Sequence, residues 1–444
     1  MRKKNILCLS LAIILLLSGG CNVISEVGDL KNPGADPNPG GENKVITDTD
    51  PSDSDPNAAP EDFIPVTNTD IPIFDRDHKE IGSITCYNYS PLTDHGLLYT
   101  KIPENAAPAP TPKELEYHLY DIESGEDHLL GTVEDWYYES SYESVGKDGH
   151  LYINVSTGEY TDLDNSLSTI YDLDLKAFTM TPLLQIEGGI PYNSFTIVGD
   201  ELVVAELLKN GDTDLIRIDL KNKPKETVLH KYDEENVFVH DSIRHMYADE
   251  NNVYMLRVDW DEKEKYTLYL DTYDTALKKI DSLDITNTCV LPVNENDPAE
   301  IQNECRQFVN EFFVKDRFFF YQNFSVTTFL GKLSDQDLTR FAETDDLISY
   351  VNCSDPKAPL LFYRKFGDDS TDRNNRNLFY LIDPKADEIR TAEFYADNVL
   401  CTFRNASQNS GGKILLNMAY QPNEKGEPVP ERFYYLDRSD LEFK

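Results

Sequence analysis

Short apolar runs, each entered through a polar turn, recur along most of this chain. One series reads Leu97-Leu98-Tyr99, Leu151-Tyr152-Ile153, Leu202-Val203-Val204, Val253-Tyr254-Met255, Phe318-Phe319-Phe320, Leu360-Leu361-Phe362 and Ile414-Leu415-Leu416, with middle residues 42 to 65 positions apart. A second series runs into an acidic or polar turn: Leu119-Tyr120-Asp121, Ile170-Tyr171-Asp172, Arg217-Ile218-Asp219, Tyr269-Leu270-Asp271, Lys332-Leu333-Ser334, Leu381-Ile382-Asp383 and Tyr435-Leu436-Asp437. Each rung of the second follows its partner in the first by roughly twenty residues, the separation of two strands joined by a variable hairpin. Runs this short, rich in β-branched and aromatic residues, predict strands. The turn chemistry agrees, with Lys147-Asp148-Gly149, Asp249-Glu250-Asn251-Asn252 and Asp383-Pro384-Lys385 between runs.

Two interleaved series of seven, repeating every 40 to 65 residues, are the mark of stacked supersecondary units. The pattern resembles that of β-propellers over about residues 64–444, the two series being the second and third strands of each blade. The expected fold is all-β, a propeller of seven four-stranded blades. Ile71-Pro72-Ile73-Phe74 is expected to supply the outer strand of the last blade, closing the ring and removing two exposed sheet edges. One segment, residues 298–310, has a short helical look through Ile301, Cys305 and Phe308. No blade carries a Trp-Asp signature at the end of its third strand, so the resemblance is one of architecture and transfers no function.

The N-terminus has a different character. Arg2, Lys3 and Lys4 precede an apolar run from Ile6 to Leu17, too short to span a bilayer, and Ser18-Gly19-Gly20 lead into Cys21. This resembles the lipobox of bacterial lipoproteins, with Ser18 standing where the family usually has Leu. The resemblance implies a signal peptide over residues 1–20 and lipidation of Cys21, which would hold the protein on the extracytoplasmic face of the cell membrane without a transmembrane helix. Residues 21–63 are rich in Pro, Gly, Asn and Asp and cannot bury enough apolar area to offset their ordering entropy, so a disordered acidic linker is expected there.

Composition sharpens this reading. Twenty-six Tyr and 21 Phe against 5 Met favour strands. Eighty acidic and 41 basic residues give a formal charge of −39, which repels phosphate backbones and excludes nucleic acid as a partner while favouring a soluble monomer. Beyond residue 21 five cysteines remain; Cys86, Cys353 and Cys401 sit in apolar strand contexts, and Cys289 with Cys305 is a candidate disulfide across a loop.

The chemistry is less legible. The chain has no Gly-x-Ser-x-Gly elbow, no His-Glu-x-x-His, no phosphate loop and no dinucleotide fingerprint, so no metal or cofactor is expected. His240 and Asp241, with His245 nearby, form a candidate polar cluster before the fourth blade. Trp136, Tyr137 and Tyr138, and Tyr192 with Asn193, fall on connections between blades, where planar aromatics beside carboxylates suit sugars, peptides or cations; tyrosines so placed more often fill space between blades. The function read here is a membrane-anchored module that binds an extracellular glycan, a peptide or an envelope protein. The alternative is a carbohydrate- or peptide-active hydrolase or lyase working through the axial pocket.

Overall fold

The computed structural model describes residues 66–444 except 108, 110–111, 159–166, 188–194, 208–212, 225, 232–241, 261–265, 290–308, 316, 324–327, 335–336, 343–346, 352, 354–357, 367–376, 395–400 and 421–429. The chain divides into two compact units. One comprises residues 1–67 and 105–112, and its described part holds one backbone bond, from Val66 N to Ala109 O at 3.1 Å. The other, residues 68–104 and 113–444, is a seven-bladed β-propeller.

Blade one is Asn88–Thr93, Gly96–Lys101, Glu114–Tyr120 and Asp127–Glu134. Blade four (Ser242–Ala248, Asn252–Trp260, Tyr266–Asp274, Lys279–Asp284), blade five (Val309–Lys315, Phe318–Asn323, Thr328–Leu333, Leu338–Ala342) and blade six (Leu347–Tyr350, Leu360–Phe366, Asn377–Asp383, Glu388–Phe394) repeat that antiparallel meander. Both apolar series of the sequence are where the blade period puts them, one in the second strands and one in the third. The second strands are apolar without alternation because neighbouring blades cover both faces: Leu97, Leu98, Val203, Val204, Phe318, Phe319 and Phe320 are fully buried.

The core lies between blades rather than within them. Each of the seven seams has its own cluster of buried side chains, such as Leu115, Tyr117 and Leu119 against Ile153 and Leu173 between blades one and two, or Phe318, Phe320 and Phe362 between blades five and six. The seventh, joining blade seven to blade one, closes the ring with Ile71, Ile73, Leu97, Leu415 and Phe433.

Blade seven (Cys401–Gln408, Lys413–Tyr420, Arg432–Asp437) is completed as expected by the first described strand, Thr69–Phe74, which pairs in parallel with Arg432–Asp437 through Ile73↔Phe433 and Phe74↔Tyr434. Glu80–Cys86 then adds a fifth strand outside it. Among the described residues blades two and three also depart from four strands. Blade two (Trp136–Lys147, His150–Thr157, Leu167–Asp174, Thr179–Glu187) gains a fifth, because Val228–Lys231 pairs in parallel with Thr179–Glu187 instead of joining blade three. Blade three (Phe195–Val198, Glu201–Leu207, Thr213–Asp219) has three strands among the described residues.

The diverted segment is tied to blade two by contacts with residues distant in sequence. After Thr213–Asp219 the chain passes Lys223, whose Nζ lies 2.5 Å from Asp172 of blade two, and Thr227 donates its hydroxyl hydrogen to the Pro182 carbonyl at 3.1 Å. These contacts draw the segment onto the neighbouring sheet.

The acidic ends of the second series are turn caps. Asp121, Asp219, Asp383 and Asp437 each accept backbone N–H bonds from two or three residues ahead, and Ser334 accepts from Asp337 N at 3.1 Å. In blades two and four the capping residues are Asp174 and Asp274, not the Asp172 and Asp271 aligned from sequence. Asp172 and Asp271 are instead buried within the third strands, where ion pairs with Lys223 and Arg257 satisfy them.

The short helix observed is Thr286–Cys289. The expected helical segment at 298–310 lies mostly outside the described residues, and its last two positions begin the strand Val309–Lys315.

Candidate functional site: the axial cavity

In every fully described blade the hairpin from first to second strand is tight, and these tips meet around the axis on one face. Together with the third-to-fourth turns that carry Leu175, Thr275 and Lys385, they border a cavity of about 1470 Å³ whose wall takes residues from all seven blades.

Blade one contributes Asp94 and His95. The tip turns on Gly96, at φ 139°, where a Cβ would come within 2.5 Å of the Tyr120 carbonyl oxygen, so only glycine fits. Asp94 then accepts from Ser410 of blade seven, from its N–H at 2.7 Å and its hydroxyl at 2.5 Å, locking two tips across the closing seam. Blade two turns on Asp148 and Gly149, both at positive φ. Beside them Lys147 donates to the Gly199 carbonyl and to Asp200 of blade three.

In blade four Asp249 accepts from Asn251 N and Asn252 N, each at 2.8 Å, and from the Tyr254 hydroxyl at 3.3 Å. Burial and then the Asp249 charge push the Tyr254 phenol up to about 12, partly offset by the hydrogen bond from Asn252 and then by Arg317 of blade five. Arg317 itself holds φ 65°, unusual for a residue with a side chain. Lys315, on the same hairpin, donates to the Ala358 carbonyl of blade six.

His150 lines the wall at blade two, its Nδ1 2.7 Å from Asp172 Oδ1 and 3.2 Å from Lys223 Nζ. Its Nε2 is 4.0 Å from Asp174. These partners make it part of the ion-paired tie that holds the diverted segment on blade two.

Of the residues singled out from sequence as candidate site residues, Trp136 has a described side chain. Trp136 opens the strand whose other end carries Lys147, so it lies away from the cavity. Its indole meets Tyr87 edge-on at 5.9 Å, packs on the core between blades one and two, and keeps Nε1 buried with no acceptor among the described residues. That is the space-filling role. Tyr137 and Tyr138 follow in the same strand, with side chains outside the described residues. Cys21, Tyr192, Asn193, His240, Asp241 and Cys305 lie outside the described residues altogether, as does the side chain of Cys289 and with it the candidate disulfide.

No family model and no curated protein matches the chain. Solved structures do. The β-propeller domain of the Trilobed protease from Pyrococcus furiosus is similar at 14% identity over 70% of this chain and 82% of that one, with a TM-score of 0.40. The periplasmic gluconolactonase of Pseudomonas aeruginosa is similar at 12% identity over 80% and 98%, with a TM-score of 0.39. An acylaminoacyl peptidase from Pyrococcus horikoshii is similar at 11% over 67% of this chain, which spans 44% of that one, with a TM-score of 0.41. The likeness is one of fold.

Among the described residues no group of three or more His, Cys, Asp or Glu is arranged to hold a metal, and no helix is long and apolar enough to cross a membrane. Sequence reasoning named the hairpins that wall the cavity as turns and gave them no further role. The signal available was their shared position in the blade, since first-to-second and third-to-fourth hairpins of an antiparallel meander point to the same end of the strands.

Proposed function

We propose that this chain is a lipid-anchored extracytoplasmic recognition module: Cys21 holds it at the membrane, and the propeller binds a segment of a partner protein in its axial cavity. The observation that carries the reading is the cavity itself. At about 1470 Å³ it exceeds the roughly 300–1,000 Å³ of ordinary small-molecule sites and suits a peptide or protruding loop. Its wall supports the same reading. The tips are fixed by bonds between blades, from Ser410 to Asp94 and from Lys147 to Asp200, so little ordering remains to oppose binding. Asp94 is held by Ser410 across the closing seam and Asp249 by its own turn, so both carboxylates serve the scaffold.

Two measurements test this. Metabolic labelling with palmitate should mark the wild type and not Cys21→Ala, and the variant should leave the membrane fraction; an unlabelled wild type would remove the anchor. The whole chain should bind members of a peptide panel over a glycan panel, with His95→Trp and Asn251→Trp in the cavity wall abolishing binding and Ile280→Trp on an outer strand sparing it. Binding indifferent to the wall substitutions would remove the axial site.

A further inference from the structure

The cavity wall holds charges of both signs, and their partners set them apart. Lys147 meets Asp200 in an ion pair across the seam between blades two and three, and Lys315 donates to the Ala358 carbonyl. Arg317 and Lys385 are likewise engaged by other groups of the chain. The acids of the wall are Asp94 of blade one, Asp148 of blade two, and Asp249 and Glu250 of blade four. Asp94 and Asp249 accept hydrogen bonds from amides and hydroxyls, which hold the carboxylates in place without cancelling their charge. Among the described residues none of the four meets a cation in an ion pair. The turns themselves fix where they stand: Asp94 is tied to Ser410 beside the Gly96 turn, Asp148 occupies the left-handed region next to Gly149, and Asp249 caps the turn that carries Glu250.

Resting on the axial reading above, we infer that the arc of wall formed by blades one to four takes the Lys and Arg side chains of a short basic segment of a partner protein. The arc has a neutral middle, because blade three, between the acidic tips, contributes Ile197, Val198 and Gly199. Carboxylates therefore stand on both sides of an apolar stretch, which suits an extended ligand with separated positive charges. It does not suit a single ion. Among the described residues no three His, Cys, Asp or Glu converge to hold a metal.

Charge elsewhere acts in the same direction. Lys315, Arg317 and Lys385 come from blades five and six, so a basic segment is drawn to the acidic arc and kept off the remaining wall. Eighty acids against 41 bases give the molecule a charge of −39, a field that attracts a cationic segment before contact. With a Debye length of about 8 Å at physiological ionic strength, that attraction fades quickly with distance and the pairs formed at the wall decide what is held. The cavity, at about 1470 Å³, has room for several side chains of such a segment.

The test uses the whole chain and three fluorescent probes: a capped hexalysine peptide, its hexaglutamine counterpart, and a chitosan oligomer of equal charge. Hexalysine should bind and hexaglutamine should not. Asp148→Asn with Glu250→Gln, which removes two wall charges and keeps the side-chain shapes, should weaken hexalysine binding about fivefold, the scale of two exposed charge pairs. Glu104→Gln with Asp281→Asn removes the same charge from exposed positions outside the cavity and should leave binding unchanged. Circular dichroism and urea midpoints matching the wild type show that both double variants are folded. Equal binding of the two peptides, no hexalysine binding, or equal effects of the two double variants would overturn the proposal, and chitosan bound with hexalysine silent would replace the peptide by a glycan. If Asn251→Trp still abolishes binding from the wider panel in those cases, the axial reading survives while its basic ligand does not.

Discussion

Replacing Asp271 by alanine should destabilise the propeller by about 3–5 kcal/mol, the usual cost of removing one partner from a buried ion pair. The carboxylate is 2% exposed and is met by Arg257 Nε at 2.8 Å, Lys279 Nζ at 2.9 Å and the Ser282 hydroxyl at 2.5 Å. Arg257 is itself largely buried and stacks over Tyr269 at 4.7 Å, so without Asp271 its guanidinium keeps Asp259 but loses its buried counter-ion. Burial alone would raise the Asp271 carboxyl, and Arg257, Ser282 and Lys279 outweigh it, holding the group below its ordinary value. A depressed folded pKa means the stabilisation is present above the unfolded carboxyl value of about 3.9 and is lost as pH falls through the lower folded value. The gap between wild type and Asp271→Ala should therefore be widest near neutrality and close on acidification. Urea unfolding followed by the fluorescence of Trp136 and Trp260 measures it, the latter lying in the same strand as Arg257. A loss below about 1 kcal/mol at pH 7, or a gap that widens in acid, would refute the reasoning. The double variant Arg257→Met with Asp271→Leu should recover much of the loss, since apolar replacements of buried pairs are often neutral.

Ile73, fully buried in the closing strand, should cost about 2–5 kcal/mol as Ile73→Ala, read in the same urea experiment, with hydrogen exchange rising first in Thr69–Phe74 and Arg432–Asp437. Gly96→Ala should cost at least 1–3 kcal/mol, because its backbone is left-handed and its Cβ would meet the Tyr120 carbonyl oxygen; urea titration detects it, and a cost near zero would mean the hairpin tip rearranges freely. His118 is pulled down by burial and up by Asp127 at 3.1 Å and Glu116 at 3.4 Å, with a net rise. Its contribution to stability should be complete below the unfolded histidine value of about 6.5 and fall away as pH rises through the raised folded value, a slope that Asp127→Asn flattens.

Much of this fold was legible because one physical cause, burial of second strands on both faces, leaves a periodic trace. Leu97-Leu98-Tyr99 and its six counterparts are apolar for that reason alone. The closing strand was legible from Ile71 and Ile73 for the same reason. What escaped was set by contacts between distant residues. Asp172 and Asp271 look like turn residues in sequence, and only the approach of Lys223 and Arg257 shows them to be strand residues carrying buried charge. The diversion of Val228–Lys231 to blade two follows from the same Lys223 contact, which no local pattern encodes. The site was hardest. Trp136 drew attention as an aromatic on a connection, whereas the cavity is walled by small polar hairpins whose composition matches any surface turn.

The seven seams are not equivalent, and the difference links the two irregularities of the ring. Between blades three and four the described apolar contact is Val198 and Val203 against Met246, Val253 and Met255, less than the seams on either side provide. Strand alternation puts Arg257 on the same face as Val253 and Met255, and Asp271 opposite Met255, so the ion-paired network extends this seam outward toward blade three. That is the blade with three strands among the described residues, its next strand having paired with blade two. A network that satisfies its own charges tolerates a thinner apolar cover. Among the described residues this seam has the thinnest apolar packing, and the buried Arg257–Asp271 pair supplements it. Acid should loosen the ring first at that seam, and hydrogen exchange at reduced pH should rise in Glu201–Leu207 and Asn252–Trp260 before it rises in Phe318–Asn323. Uniform exchange across these strands would show that the apolar contacts alone govern the seam.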